Sequence, residues 1–149
     1  MSKGFAALLF LLNTDAWATG PLHGIPIHRD TSVERYADDL VGQDPAKRLF
    51  AVRVLRTRAR EACRIASKRG EEIRNIEARQ TLADFDTLVA PRCIRQLKVD
   101  SIRQPCAEIL GMLETTAALP ALKAAQVNAH NKREQRIIAS AIKRIESTE

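Results

Sequence analysis

Arg53, Arg56, Arg60 and Arg64 recur at steps of three and four residues in the segment RVLRTRAREACR. At 100° per residue this spacing gathers them into one stripe of a helix, while Val52, Leu55, Ala59, Ala62, Cys63 and Ala66 gather on the other side. A row of guanidinium groups is chemistry for anions, because each planar fork can take a carboxylate or phosphate in paired hydrogen bonds. The groups also repel one another, and Glu61 offsets only part of that. Residues 47–79 hold eleven Lys or Arg against four Glu, so this third of the chain exceeds the formal charge of +6 carried by the whole. Further on, Arg133, Arg136, Lys143 and Arg144 form a second, less ordered basic patch. Arg53, Arg56, Arg60, Arg64, Arg136 and Lys143 are therefore the candidate partner-binding residues. The plainer reading of such a row is a solvated face that keeps the protein soluble.

Other reactive side chains are placed less usefully. His23 and His28 lie five apart in a Gly/Pro stretch, and His130 stands near a late turn, without acidic or thiol neighbours at metal-ligand spacing. No metal and no cofactor is expected. Asp84 and Asp86 would point to different sides of a helix, so these two, like Asp38 and Asp39, read as turn, capping or salt-bridge residues. No nucleophile with its base and no phosphate-cradling glycine loop is found, and no catalytic residue is named. Cys93 and Cys106 flank a turn near Val99 at similar distances, so they would sit at similar heights on antiparallel helices. A disulfide between them requires Cα atoms closer than about 7 Å. The alternative is a pair of buried free thiols, favoured by the apolar pattern that both residues and Cys63 occupy.

The elements that carry these residues repeat. In the stretch DSIRQPCAEILGMLETTAALPAL, Asp100 to Leu122, an acidic turn residue precedes Ile102 and Arg103, followed by Cys106, Ala107, Leu110 and Leu113, and then Pro120 near a new helix start. Thirty-two residues later, Ala107, Leu110 and Leu113 fall on Ala139, Ile142 and Ile145. Fifty-five residues earlier, Arg103, Ala107, Ile109 and Leu110 fall on Arg48, Val52, Val54 and Leu55. Pro91 and Pro120 stand upstream of the two later units. At these residues the chain resembles the HEAT-repeat family, whose units are antiparallel helix pairs with a proline in the first helix and an acidic residue in the turn. The resemblance spans roughly residues 32–147 and implies a short all-α superhelix of about six or seven helices. Two features depart from it: the first unit lacks the proline, and its distance to the second needs either two ordinary periods or two elongated helices. At the position of Arg53 the later units carry Glu108 and Ser140, so the row is not a continuous basic track.

Composition and capping chemistry agree with helix throughout. The chain of 149 residues has six glycines and six prolines, few aromatics, and is dominated by good helix formers. Thr31-Ser32-Val33-Glu34 and Asn131-Lys132-Arg133-Glu134 are capping boxes, Asp44-Pro45 starts a helix, and Gly70 suits a helix end. The expected helices are 32–41, 45–69, 71–89, 91–98, 101–114, 117–128 and 132–147, with 71–98 either one kinked helix or two. Residues 1–18 are different: Lys3, the apolar run Gly4 to Leu12 and the Ala16-Trp17-Ala18 ending match a secretory signal peptide cleaved after Ala18. Residues 19–31 read as an extended lead-in, and 32–149 as the helical repeat domain.

Export shapes the functional expectation. A pI near 9.7 suits nucleic acid, but a periplasmic or secreted location and the lack of stacking aromatics argue against it, with Phe50 and Phe85 assigned to the core and Tyr36 left alone. The leading expectation is a non-enzymatic, exported HEAT-like adaptor that binds an acidic protein through its second helices. The alternative is an enzyme or enzyme accessory, as the resemblance extends to bilin lyases and alkylation-repair glycosylases that work on a concave face. That would require a carboxylate, aromatic or histidine cluster there. A terminal cap of a larger solenoid is also compatible with so few repeats.

Overall fold

The computed structural model of this chain describes residues 33–67 and 72–148, and among these every regular element is helical. Helix α1 covers 33–41, α2 Pro45–Ala66, α3 Glu72–Asp84, α4 Ala90–Gln96, α5 Asp100–Leu113, α6 Leu119–Val127 and α7 Lys132–Glu146. A five-residue π-helical stretch, Phe85–Val89, joins α3 to α4, and a single 3₁₀ turn, Thr116–Ala118, precedes α6. The expected signal peptide and lead-in, the Thr31-Ser32 half of the first capping box and the expected Gly70 stop lie outside the described residues.

The two sequence offsets reappear as helix starts. Helices α2, α5 and α7 follow N-cap positions at Asp44, Val99 and Asn131, fifty-five and thirty-two residues apart. Burial follows the same register, with Val52, Ala107 and their neighbours Leu55, Leu110 and Ile142 turned inward. Two of the three caps work through side chains. Asp44 accepts from the N–H groups of Ala46 at 2.9 Å and Lys47 at 3.3 Å, ahead of Pro45, which has no N–H to satisfy. Asn131 accepts from the Glu134 N–H at 2.8 Å, and Glu134 returns a bond to the His130 N–H at 2.9 Å, one residue earlier than a standard capping box.

Pairs of antiparallel helices form around these starts. Helix α5 packs on α4 before it, and also on α2 and α7; α6 packs on α7. The three second helices α2, α5 and α7 therefore lie side by side, while Arg92 on α4 reaches Asp38 on α1 at 2.7 Å and ties the first helices of two units. The long gap between the first and second units is filled by elongation. Helix α2 runs for 22 residues, and α3, the π stretch and α4 form a continuous rod from Glu72 to Gln96.

That rod answers the question posed by Pro91. Proline offers no N–H and its ring crowds the carbonyl four residues back. The helix widens instead of breaking: Ala90 donates to the Phe85 carbonyl five residues back, and the residues around the junction keep right-handed helical angles. Phe85, Val89 and Ala90 all point into the core from this stretch. Helix α5 carries a second internal proline, Pro105, which has no N–H for the Ser101 carbonyl.

One apolar core runs through all these elements except α3, drawing Leu40, Leu55, Phe85, Ile109, Leu122 and Ile138 together with no exposed surface. Helices α5 and α7 approach closely at Gly111, where a Cβ would fall 2.8 Å from the Ala141 Cβ. A side chain there would require the helices to part, which makes this glycine a packing requirement. At its C-terminus α5 stops at Glu114 in the left-handed conformation, φ 54°, ψ 38°, a geometry that costs a non-glycine residue about 1 kcal/mol.

The core contains one nearly inaccessible cation. Arg103 on α5 is 3 % exposed, and its guanidinium serves four acceptors, one in its own helix and three on other segments. Its Nε donates to the Leu97 carbonyl at 2.8 Å, and one terminal nitrogen reaches the Asn128 carbonyl at 3.2 Å and Glu134 Oε1 at 3.4 Å. The other pairs with Asp100. Glu134 is itself only 5 % exposed, so each charge depends on the other for compensation. Removing one member of a buried pair leaves the survivor desolvated, at about 3–5 kcal/mol. Arg103→Met should lower unfolding stability by that amount in urea titration, and Arg103→Lys should recover little of it, since one ammonium cannot span the same fork.

Candidate functional site

Three of the arginines predicted to form a free row are committed to glutamates. Arg56 approaches Glu108 on α5 at 3.4 Å, Arg60 approaches the same carboxylate at 3.6 Å, and Arg64 holds Glu61 one turn back in a two-point contact at 2.9 and 2.5 Å. Glu108 also accepts from Gln104 at 3.2 Å. It is thus the residue that replaces arginine in the second unit which neutralises arginines of the first. Arg53 differs, being exposed and, among the described residues, without a carboxylate partner.

Arg136 and Lys143 are not brought to this row. Both are exposed on α7, on the side opposite its buried residues Glu134, Ile138 and Ile145. The basic α7 residue that does approach α2 and α5 is Arg144, whose Nε lies 3.4 Å from Glu114. Its position was legible only as part of a loosely basic patch.

Two open grooves cross the second-helix surface. The first, about 390 Å³, has apolar walls from Cys63, Gly111, Met112, Ile137 and Ala141, with Arg60, Glu108, Ser140 and Arg144 around them. The second, about 330 Å³, is more polar and of mixed charge; it lies toward the N-terminal ends of the same helices, with Arg53, Arg56 and His130 around it together with the carboxylates of Asp100 and Glu134 that pair with Arg103. On the first-helix side, Ile94, Arg95, Ala121, Ala124 and Ala125 border a further groove of about 470 Å³ between α4 and α6.

Phe50 requires a correction. Sequence pattern assigned it to the core, but it is 60 % exposed on α2 and stacks edge-on against Tyr36 of α1, ring centroids 6.0 Å apart. The physical reason is its phase: Ala51 and Val52, the next two residues, occupy the buried face, and Phe50 falls beyond its edge. Tyr36 is accordingly not alone; Arg58 also lies over its ring at 5.8 Å.

The cysteines fall in the core or beside it. Cys93 and Cys106 are fully buried free thiols that meet across the α4–α5 pair. Their mutual hydrogen bond, and then burial, push the Cys93 thiol well above its ordinary range. Cys63 is half-buried, lies 3.6 Å from the Met112 carbonyl, and is raised by burial against the opposing effect of Arg144. Two of the paired carboxylates link elements, Asp38 with Arg92 of α4 and Asp86 accepting from Thr115 at 3.4 Å, while Asp84 accepts from Gln80 one turn back in its own helix at 3.2 Å.

Among the described residues no group of three or more His, Cys, Asp or Glu side chains is arranged to hold a metal ion, and no helix is long and apolar enough to cross a membrane. Comparison with known proteins finds no matching family model, no matching curated protein and no matching solved structure.

His130 is the one described histidine, and it faces a carboxylate that sequence spacing did not disclose. Its Nε2 lies 2.9 Å from Asp100 Oδ2, across the entrance to the Arg103 network. The His130 contact first, and Arg103 second, hold the Asp100 carboxyl below its ordinary value. A depressed carboxylate pKa contributes stability that is complete above the unfolded value of about 3.9 and is lost as pH falls through the folded value. Asp100→Asn should therefore flatten the pH dependence of unfolding below about pH 4, measured by urea titration across an acid series.

Proposed function

We propose that this chain is an exported HEAT-like module that binds another protein through the surface of α2, α5 and α7, and that the partner presents acidic groups there. The observation carrying this reading is Arg53, an exposed guanidinium that has no carboxylate partner among the described residues, beside an open polar groove on adjacent second helices. Arg60 and Arg144 add to it. Both are more than half exposed and meet their glutamates at 3.6 and 3.4 Å, contacts that exchange readily for an incoming carboxylate. Arg56 is more enclosed and serves chiefly to join α2 to α5. The likeness to HEAT units rests on the paired helices, the prolines at the starts of α4 and α6, and the acidic and arginine residues at the α4–α5 turn.

Charge reversal must spare the arginines beside Glu108, where a new glutamate would repel the one already present. The discriminating variants are Arg53→Glu alone and Arg136→Glu with Lys143→Glu. In affinity capture from an envelope extract, a partner held at low salt should be released at high salt and lost with Arg53→Glu, since exposed ion pairs are screened over about 8–10 Å. Capture unchanged by either variant would remove the basic residues from the binding surface.

Export is supported by the charged, apolar and small-residue segments that follow one another before Thr19. N-terminal sequencing of the mature protein should begin at Thr19. An intact Met1 on a cytoplasmic protein would overturn the location and restore nucleic acid as a partner.

A further inference from the structure

We infer that the groove across α2, α5 and α7 takes an acidic peptide segment anchored by one apolar side chain; this rests on the protein-binding reading above and names the ligand chemistry. The apolar end is floored where Gly111 of α5 approaches Ala141 of α7. Gly111 and Ala141 lack the bulk to fill the space between their helices and α2, and Met112, Ile137 and the Cys63 thiol wall it. Met suits such a wall because its unbranched thioether adapts to differently shaped side chains.

Guanidinium groups stand on two sides of that end, Arg60 from α2 and Arg144 from α7. Arg53 lies two turns before Arg60, about 10 Å along the helix at 1.5 Å per residue. Three residues of extended chain cover that distance at roughly 3.3 Å each. A peptide with its apolar residue in the groove thus brings carboxylates a few residues away to Arg53, and nearer ones to Arg60 or Arg144.

Charge pattern selects a peptide over a uniform polyanion. Glu61, Glu108 and Glu114 are interleaved with the arginines, so a lipid headgroup layer or a nucleic-acid backbone would meet repulsion at each of them. Separate carboxylates on a flexible segment can avoid these positions. The apolar groove likewise offers a side chain a place that a phosphate cannot use.

The test uses the mature chain, with fluorescence anisotropy of three labelled peptides, EEGFGEE, EEGSGEE and KKGFGKK. Burying the phenylalanine should make EEGFGEE bind about tenfold or more tightly than EEGSGEE. KKGFGKK should bind weakest. Ser140 is exposed at the groove, so Ser140→Trp fills it without disturbing the core. That variant should bind EEGFGEE no better than EEGSGEE while circular dichroism stays unchanged. Arg53→Glu should weaken both acidic peptides.

Equal binding of EEGFGEE and EEGSGEE, or a preference that survives Ser140→Trp, would overturn the anchored groove and leave the acidic-partner reading standing. If neither acidic peptide binds better than KKGFGKK, both readings fall. Preferential binding to vesicles of equal parts phosphatidylcholine and phosphatidylglycerol, or to single-stranded DNA, would also overturn both.

Discussion

The buried guanidinium of Arg103 is the interaction on which the arrangement of the later units depends. Apolar packing is non-directional and would tolerate α7 sliding along α5 by part of a turn. Arg103 removes that freedom, because one planar group must satisfy the Leu97 carbonyl at the end of α4, the Asn128 carbonyl at the end of α6, and the Glu134 carboxylate at the start of α7. Each acceptor belongs to a different segment, so the fork sets their relative heights. Glu134 has a second duty as partner to the His130 N–H, which couples the helix cap to the buried pair. Burying such a pair costs desolvation that its contacts must offset, so its geometry matters more than its bare charge.

That fixed register is what turns three second helices into a surface. Gly111 can meet Ala141 only if α5 and α7 hold a single height, and the same height places Arg144 beside Glu114 and the groove bordered by Cys63. On the other side, Glu108 lies within reach of both Arg56 and Arg60, joining α2 to α5. The basic stripe is consequently a mixed surface with Arg53 projecting from it. Interleaved charges of both signs make it attract anions less broadly than a bare row of arginines would.

Much of the architecture was legible from pattern because it is governed by local chemistry. The offsets between Asp44, Val99 and Asn131 are visible as repeated apolar spacing, and the caps at Asp44 and Asn131 depend on residues within one turn. Pro91 marked a disturbance but not its form. Whether the chain breaks or widens there depends on Phe85 and Val89 having a core to enter, a property of neighbouring helices. Phe50 misled for a related reason, since an aromatic beside a helical apolar face reads as buried until the phase of the packed face is known.

By itself the sequence determined the all-helical class, nearly all helix starts, the offsets between three of them and the identity of the ionisable residues, all properties of local spacing and backbone preference. Tertiary structure alone decided which charges meet. Arg56 and Glu108 are separated by fifty-two residues and Arg103 and Glu134 by thirty-one, and no local rule links either pair. Which arginines of the α2 row meet a carboxylate, and where the groove beside them lies, follow from how α2, α5 and α7 align, because an ion pair acts over a few ångströms of space whatever the distance along the chain.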